Sequence, residues 1–257
     1  MLPLPEDGFD IIKKIKLTNF ELPKFSTIVY GYRMDLPAYT LLRGKTALSG
    51  DIVKILNVYD FLYLDVPYSD NAYTIFLLNE DDEIRDIDNV VVPLNAKGVL
   101  ITCREVSSRL KKIVVSGETC ELNASLSIIS WLTSIYTSPR SKRLQEEIDL
   151  SDVKDWLQEK IKQIDIDLDL LISPTLSPSL PILRMNLGKK VKTFYENDFS
   201  DSNVIYTGVD FMVGRKLAHS LRSKNMKVKE VQIDTDPLTA PIYLSIMSYI
   251  LKDRTRG

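Results

Sequence analysis

Leu62-Tyr63-Leu64-Asp65-Val66-Pro67-Tyr68-Ser69-Asp70-Asn71-Ala72-Tyr73-Thr74-Ile75 is the stretch whose reading decides the fold. An apolar run, residues 62–66, stops at the turn-forming Tyr-Ser-Asp-Asn, and a helix-compatible run, residues 72–78, begins at once. The expected order is strand, loop, helix. In an open α/β sheet such a loop lies at the carboxyl end of its strand, where ligands bind and where the positive end of the following helix suits an anion. Ser69, Asn71 and Thr74 add side-chain donors to that reading. The alternative is that Ser, Asp and Asn stand here only as turn and cap residues.

Outward from this stretch, strands and helices alternate. Upstream, residues 26–30 (STIVY) read as a first strand ending at Gly31, residues 36–42 as a helix with Pro37 in its first turn, and residues 53–58 as a second strand, which makes 62–66 the third. Downstream, residues 88–94 suggest a short extra strand, 99–102 a fourth main strand, 105–110 a helical turn or two, 112–115 a fifth strand, and 122–136 a long apolar helix. This pattern predicts a parallel sheet covered on both faces. The polar Ser138-Pro139-Arg140-Ser141-Lys142-Arg143 breaks it, so two α/β domains are expected, residues 1–137 and 138–257. In the second, an amphipathic helix (149–164, with Val153, Leu157 and Ile161 on one face) leads to strands at 169–172, 191–194, 203–206 and 228–233. Helices are expected at 182–187, 212–224 and 237–251, with a Pro-Ser-rich loop at 173–181 and no sequence repeat.

Composition excludes several classes. With 44% hydrophobic and 26% charged residues in a chain of 257, a sizeable core is affordable. Lys plus Arg (33) nearly balance Asp plus Glu (35), so no basic field points to nucleic acid. No apolar run approaches the ~20 residues a membrane span needs. The first ten residues, MLPLPEDGFD, have neither a charged start nor an apolar core for export, and the cytoplasm is the expected compartment. Cys103 and Cys120 make no disulfide framework or metal set, and with His219 the lone histidine no multi-histidine metal centre is expected. A cysteine–histidine nucleophile pair is formally available; no cofactor is implied.

The order of segments resembles the sugar isomerase (SIS) domain, and within it the bifunctional phosphoglucose/phosphomannose isomerase family, which has two such domains. The family's first strand runs into G-M-G-G-S-A-x-x-G-D-L-L-R, and here residues 31–43, GYRMDLPAYTLLR, keep the frame and the Leu-Leu-Arg ending. The family's S-Y-S-G-N-T-x-E-T loop is similar to residues 67–74, with Tyr68, Ser69 and Asn71 retained. Residues 100–102 (LIT) resemble its I-T-S-G-G strand end, and residues 240–251 its final helix. The resemblance implies two doubly wound parallel-sheet domains, a sugar-phosphate ligand, a homodimer, and, if the chain is active, intramolecular aldose–ketose isomerisation. Arg33, Tyr68, Ser69, Asn71 and Thr74 are then the phosphate-binding candidates. Isomerisation needs a base that moves a proton between adjacent carbons. The family takes it from an E-x-x-H-N-E segment, to which residues 194–199, FYENDF, compare, so Glu196 is the candidate base.

The departures touch the chemistry. The first loop loses its central glycines and its serine, with Met34 and Asp35 adding bulk and a negative charge there, Pro67 replaces a serine, and Glu121 stands near where the family has an arginine. The family's catalytic histidine is missing, and His219 is expected to be solvated on its helix. Three readings stay open: a sugar-phosphate binder of this family, a non-catalytic descendant whose crevice mouth is filled by Tyr32, Met34 and Tyr73 and serves a partner, and an unrelated doubly wound nucleotide binder.

Overall fold

The computed structural model describes residues 9–19, 21–66, 73–91, 93 and 97–255. In chain order they form α1 (Asp10–Lys14), β1 (Thr27–Tyr30), α2 (Asp35–Ser49), β2 (Lys54–Asn57), α3 (Val58–Asp60) continued by a π-helical turn (Phe61–Asp65), β3 (Thr74–Leu77) and α4 (Asp81–Val91). There follow β4 (Gly98–Thr102), β5 (Lys111–Val114), α5 (Cys120–Ile135), α6 (Pro139–Glu147), α7 (Lys154–Gln163), β6 (Asp169–Ile172) and a 3-10 segment (Pro174–Ser179). The chain closes with α8 (Leu180–Leu187), β7 (Val191–Thr193), β8 (Ser202–Thr207), α9 (Phe211–Ser223), β9 (Val228–Ile233) and α10 (Ala240–Thr255). It divides into two compact units, Lys14–Gln145 and Glu146–Gly257 with residues 9–13.

The first unit holds a parallel sheet of order β2-β1-β3-β4-β5. Its central strands are mostly apolar, as burial on both faces demands, with Thr27, Thr74 and Thr102 at their ends, and their period-2 geometry sorts side chains between two cores. Ile28, Ile75, Leu77, Val99 and Ile101 meet Ala38 and Leu41 of α2 and Ala124, Ile128 and Leu132 of α5. Val29, Phe76 and Leu100 meet Val58, Phe61 and Leu62 of the α3 region and Ile84, Ile87 and Val91 of α4. The second unit repeats the scheme with a parallel sheet of order β7-β6-β8-β9, where Leu171, Val204 and Tyr206 pack on Ala218 and Leu221 of α9. Two doubly wound parallel α/β sheets are thus present, as expected. The outermost strands all carry lysine: Lys54, Lys111 and Lys112 in the first sheet, Lys192 and Lys229 in the second.

The stretch that decides the fold is built the other way round from expectation. Residues 62–65 are helical, and the third strand is β3, within the span expected to be helix. Asn57 explains the first exchange: its side-chain oxygen accepts the N–H groups of Tyr59 and Asp60, both at 2.9 Å, and starts a helix at the end of β2. Thr74-Ile75-Phe76-Leu77 is β-branched and aromatic and fills the sheet centre. Residues 88–91 belong to α4 rather than to an extra strand, residues 105–110 form no helix, and residues 139–143 of the expected break at 138–143 lie in α6. Cys103 and Cys120 are joined by a disulfide, so the cysteine–histidine pairing is overturned. On α9 the buried stripe is Gly214, Ala218 and Leu221, while Val213 is 53% exposed. Among the described residues, no helix is long and apolar enough to cross a membrane.

Candidate functional site

In each sheet the chain reverses winding direction between two neighbouring central strands, β1 and β3 in the first, β6 and β8 in the second. A crevice opens beyond their carboxyl ends.

The first crevice is shaped by the turn after β1. Gly31 N–H donates to Leu77 O at 2.9 Å, Arg33 turns the chain at φ 64°, and α2 begins at Asp35 without a side-chain cap. Tyr32 N–H points into the crevice and donates to Glu83 Oε1 at 2.9 Å. Glu83 is the third residue of α4 and is buried, and its Oε2 has no partner. A Cβ at Gly31 would lie 2.0 Å from that oxygen, so only glycine admits the carboxylate here. Burial pushes the Glu83 pKa up, and burial does the same for Asp35. Arg33 bonds the buried Glu121 carboxylate at 2.8 Å, while its Nε makes no hydrogen bond.

A second carboxylate does the equivalent work in the other unit. Asp210, immediately before α9, accepts Thr207 N–H at 2.7 Å and Thr207 O–H at 2.8 Å through Oδ1, and Thr175 N–H at 3.2 Å through Oδ2. Burial raises its pKa, but these donors outweigh burial and hold it below the ordinary value. In both units, therefore, an acid at the start of the helix after one central strand accepts an amide from the loop after the other. Beside Asp210, Val209, Phe211, Met212 and Val213 are all exposed.

The expected site residues do not converge. Arg33 lies in the first crevice, tied to Glu121. Thr74 opens β3 and is buried at the amino end of the sheet, opposite the crevice, because the third strand begins at Thr74 instead of ending before residue 67. Tyr68, Ser69 and Asn71 lie outside the described residues. The loop that does follow β3 is residues 78–80. Glu196, in the other unit, takes both oxygens to Arg184 Nη2, at 2.9 and 2.7 Å, and accepts Thr193 N–H at 2.8 Å. The Thr193 amide and the Arg184 guanidinium hold its carboxyl below the usual range, and with Arg184 and Lys192 it lines a cavity of about 470 Å³. His219 is exposed. Met34 is buried in the core and Tyr32 is 64% exposed, so Glu83, not these side chains, fills the crevice turn. Glu83 and Asp210 were not singled out from sequence; the one readable signal was an acid at the start of a helix that follows a strand.

No protein-family model matches the chain, and no curated protein matches it in sequence. Solved structures do. Glucosamine-6-phosphate deaminase from Thermotoga maritima is similar over 100% of this chain and 92% of its own, with 16% identity and a TM-score of 0.69. Tagatose-6-phosphate ketose/aldose isomerase from Escherichia coli is similar over 98% and 86%, with 11% identity and a TM-score of 0.60. The C-terminal domain of glucosamine-fructose-6-phosphate aminotransferase from Francisella tularensis is similar over 96% and 91%, with 12% identity and a TM-score of 0.59. At such identities the likeness is one of fold, and the fold is SIS-like.

Proposed function

We propose that this chain is a phosphosugar-isomerase-like protein that binds a sugar phosphate and does not isomerise it. One observation carries the reading: the turn after β1 already holds a carboxyl group. Tyr32 N–H is aimed at a carboxylate, no side chain caps α2 beside it, and Gly31 leaves the space a charged group needs. A ligand phosphate takes this place by displacing Glu83. That internal carboxylate competes at an effective concentration on the order of millimolar, so the ligand must compensate through its own contacts. Isomerisation is set aside because the carboxylate expected as base, Glu196, is bound to Arg184, and the lone histidine is exposed on α9. Fold similarity to proteins named for glucosamine 6-phosphate and tagatose 6-phosphate supports the ligand class, and the bifunctional phosphoglucose/phosphomannose isomerases remain the model for the hexose.

The test is thermal unfolding with glucose 6-phosphate, mannose 6-phosphate and glucosamine 6-phosphate, alongside a coupled isomerase assay. Binding stabilises by about 2.7 kcal/mol at a hundredfold excess over Kd. The expected result is a raised Tm without turnover; an unchanged Tm with every sugar phosphate refutes the binding claim, and turnover refutes the non-catalytic one. A second reading, a partner-binding protein or homodimer, is favoured by the exposed run Val209, Phe211, Met212 and Val213 at the second crevice. It predicts no ligand response and a mass above that of the monomer in sedimentation equilibrium.

A further inference from the structure

The Cys103–Cys120 disulfide stands at the carboxyl end of the first sheet, where the crossover from β4 to β5, which contains no helix, begins. Cys103 directly follows β4 and is partly exposed, whereas Cys120 opens α5 and is buried. The next residue is Glu121, whose buried carboxylate bonds the Arg33 guanidinium at 2.8 Å. One peptide unit therefore separates the bridge from the group that occupies the arginine of the crevice turn. The bridge closes a loop around β5, yet the sheet does not hang on it. Leu110 and Val115, on either side of β5, lie in the two cores, and Val115 N–H donates to Thr102 O at 2.8 Å. The start of α5 is likewise held by Asn123, which accepts Thr119 O–H at 3.1 Å and donates to Ser116 O at 2.7 Å.

The two sulfurs differ in a way that suits thiol–disulfide exchange. An incoming thiolate reaches Cys103 Sγ, the more exposed of the pair. The S–S bond breaks, and its electron pair leaves on Cys120 Sγ at the amino end of a helix of 16 residues that no side chain caps, where backbone N–H groups favour an anion. A second thiolate of the same reductant then attacks the mixed disulfide and frees Cys103. Two electrons and two protons pass to the protein, and a dithiol becomes a disulfide. The sulfurs, about 2 Å apart when bonded, must then part to the roughly 3.5–4 Å at which non-bonded atoms rest. In a close-packed region that displacement is passed to the neighbours. Half of it takes a 2.8 Å bond such as Arg33–Glu121 beyond hydrogen-bonding distance.

We propose that the Cys103–Cys120 bridge is a reversible redox switch, and that its reduction by a dithiol releases Arg33 from Glu121 and frees the guanidinium for an anion in the crevice. In the oxidised protein Glu121 holds the arginine; in the reduced protein the first turn of α5 shifts and the turn at residues 31–35 loosens with it. The use of the freed arginine rests on the sugar-phosphate reading above. The switch itself does not, and its test contains no ligand.

The experiment is hydrogen exchange of the whole protein in buffers of reduced and oxidised dithiothreitol, with thiols counted by alkylation and mass, and the fold followed by circular dichroism. The expected result is a reversible gain of two thiols in the folded protein, with exchange at residues 31–35 and 118–123 accelerated about tenfold more than in β3. In Glu121→Gln, which weakens the hold on Arg33 with the bridge intact, residues 31–35 should already exchange faster when oxidised, and reduction should add little. A bridge that opens only in denaturant, or whose reduction unfolds the protein, overturns the proposal, since the bond is then purely structural. So does uniform acceleration along the chain, or a response to reduction that is undiminished in Glu121→Gln.

Discussion

Glu83 carries two opposing demands on one carboxyl group. Its Oε1 is satisfied by Tyr32 N–H, which favours the charged form, while burial and the unpartnered Oε2 favour the neutral one; burial wins and the pKa rises. A carboxyl whose folded pKa exceeds the unfolded value of 4.5 contributes stability fully present below that value and lost as pH climbs through the folded pKa. Glu83→Gln, which cannot ionise, escapes that loss. The Tm of the variant minus that of the wild type should therefore grow over the interval of rising pH that begins near 4.5. A difference that stays flat or shrinks over this interval would show Glu83 to be charged without penalty. Little of this was legible in the sequence, because Gly31 and Glu83 are brought together by sheet pairing rather than spacing. Arg33 was legible as a residue of the turn after the first strand; its engagement by Glu121 was not, since the two are far apart in the chain.

At the level of elements, strands β1, β2, β4 and β5 and helices α2 and α5 follow from hydrophobic patterning. The exchange of helix and strand fell on residues 62–78, and smaller misreadings fell on residues 88–91, 105–110 and 139–143. A five-residue apolar run has no period long enough to separate a buried helical turn from a strand, and length alone does not decide it. The deciding cues were local: Asn57 as a cap, the β-branched and aromatic Thr74-Ile75-Phe76, and Asp81-Asp82-Glu83 at the positive end of α4. The disulfide was unreadable because two cysteines 17 apart specify no pairing until β4 and α5 are placed side by side. It joins the start of the helix-free crossover to the first turn of α5. Closing a loop of this size stabilises by about 3 kcal/mol, so Cys103→Ser/Cys120→Ser should lower urea-unfolding stability by about that amount. Adding a strong reductant should bring the wild type to the same midpoint, and a midpoint insensitive to both changes would exclude any contribution from the bridge.

The whole molecule contains one strand plan twice, β2-β1-β3-β4 with β5 added, and β7-β6-β8-β9. That duplication left no trace in the sequence, since backbone order survives replacement of nearly every side chain; the acid at each crevice, Glu83 and Asp210, has a common role. Each unit has a core of its own, so Lys14–Gln145 produced alone should fold. The expected observation is a single cooperative urea transition followed by circular dichroism; a gradual, non-cooperative loss of signal would mean that the unit depends on the rest of the chain. The lysines on the outermost strands carry a different consequence. A bare sheet margin offers its amides and carbonyls as a template to any passing chain, and an ammonium group placed there makes a second, identical margin an unwelcome neighbour. With Lys54, Lys111, Lys112, Lys192 and Lys229 standing at all four margins, a strand added there has to bury an ammonium group or break its pairing with Asp65, Glu105, Asp169 or Asp165, a cost that an unguarded margin would not impose.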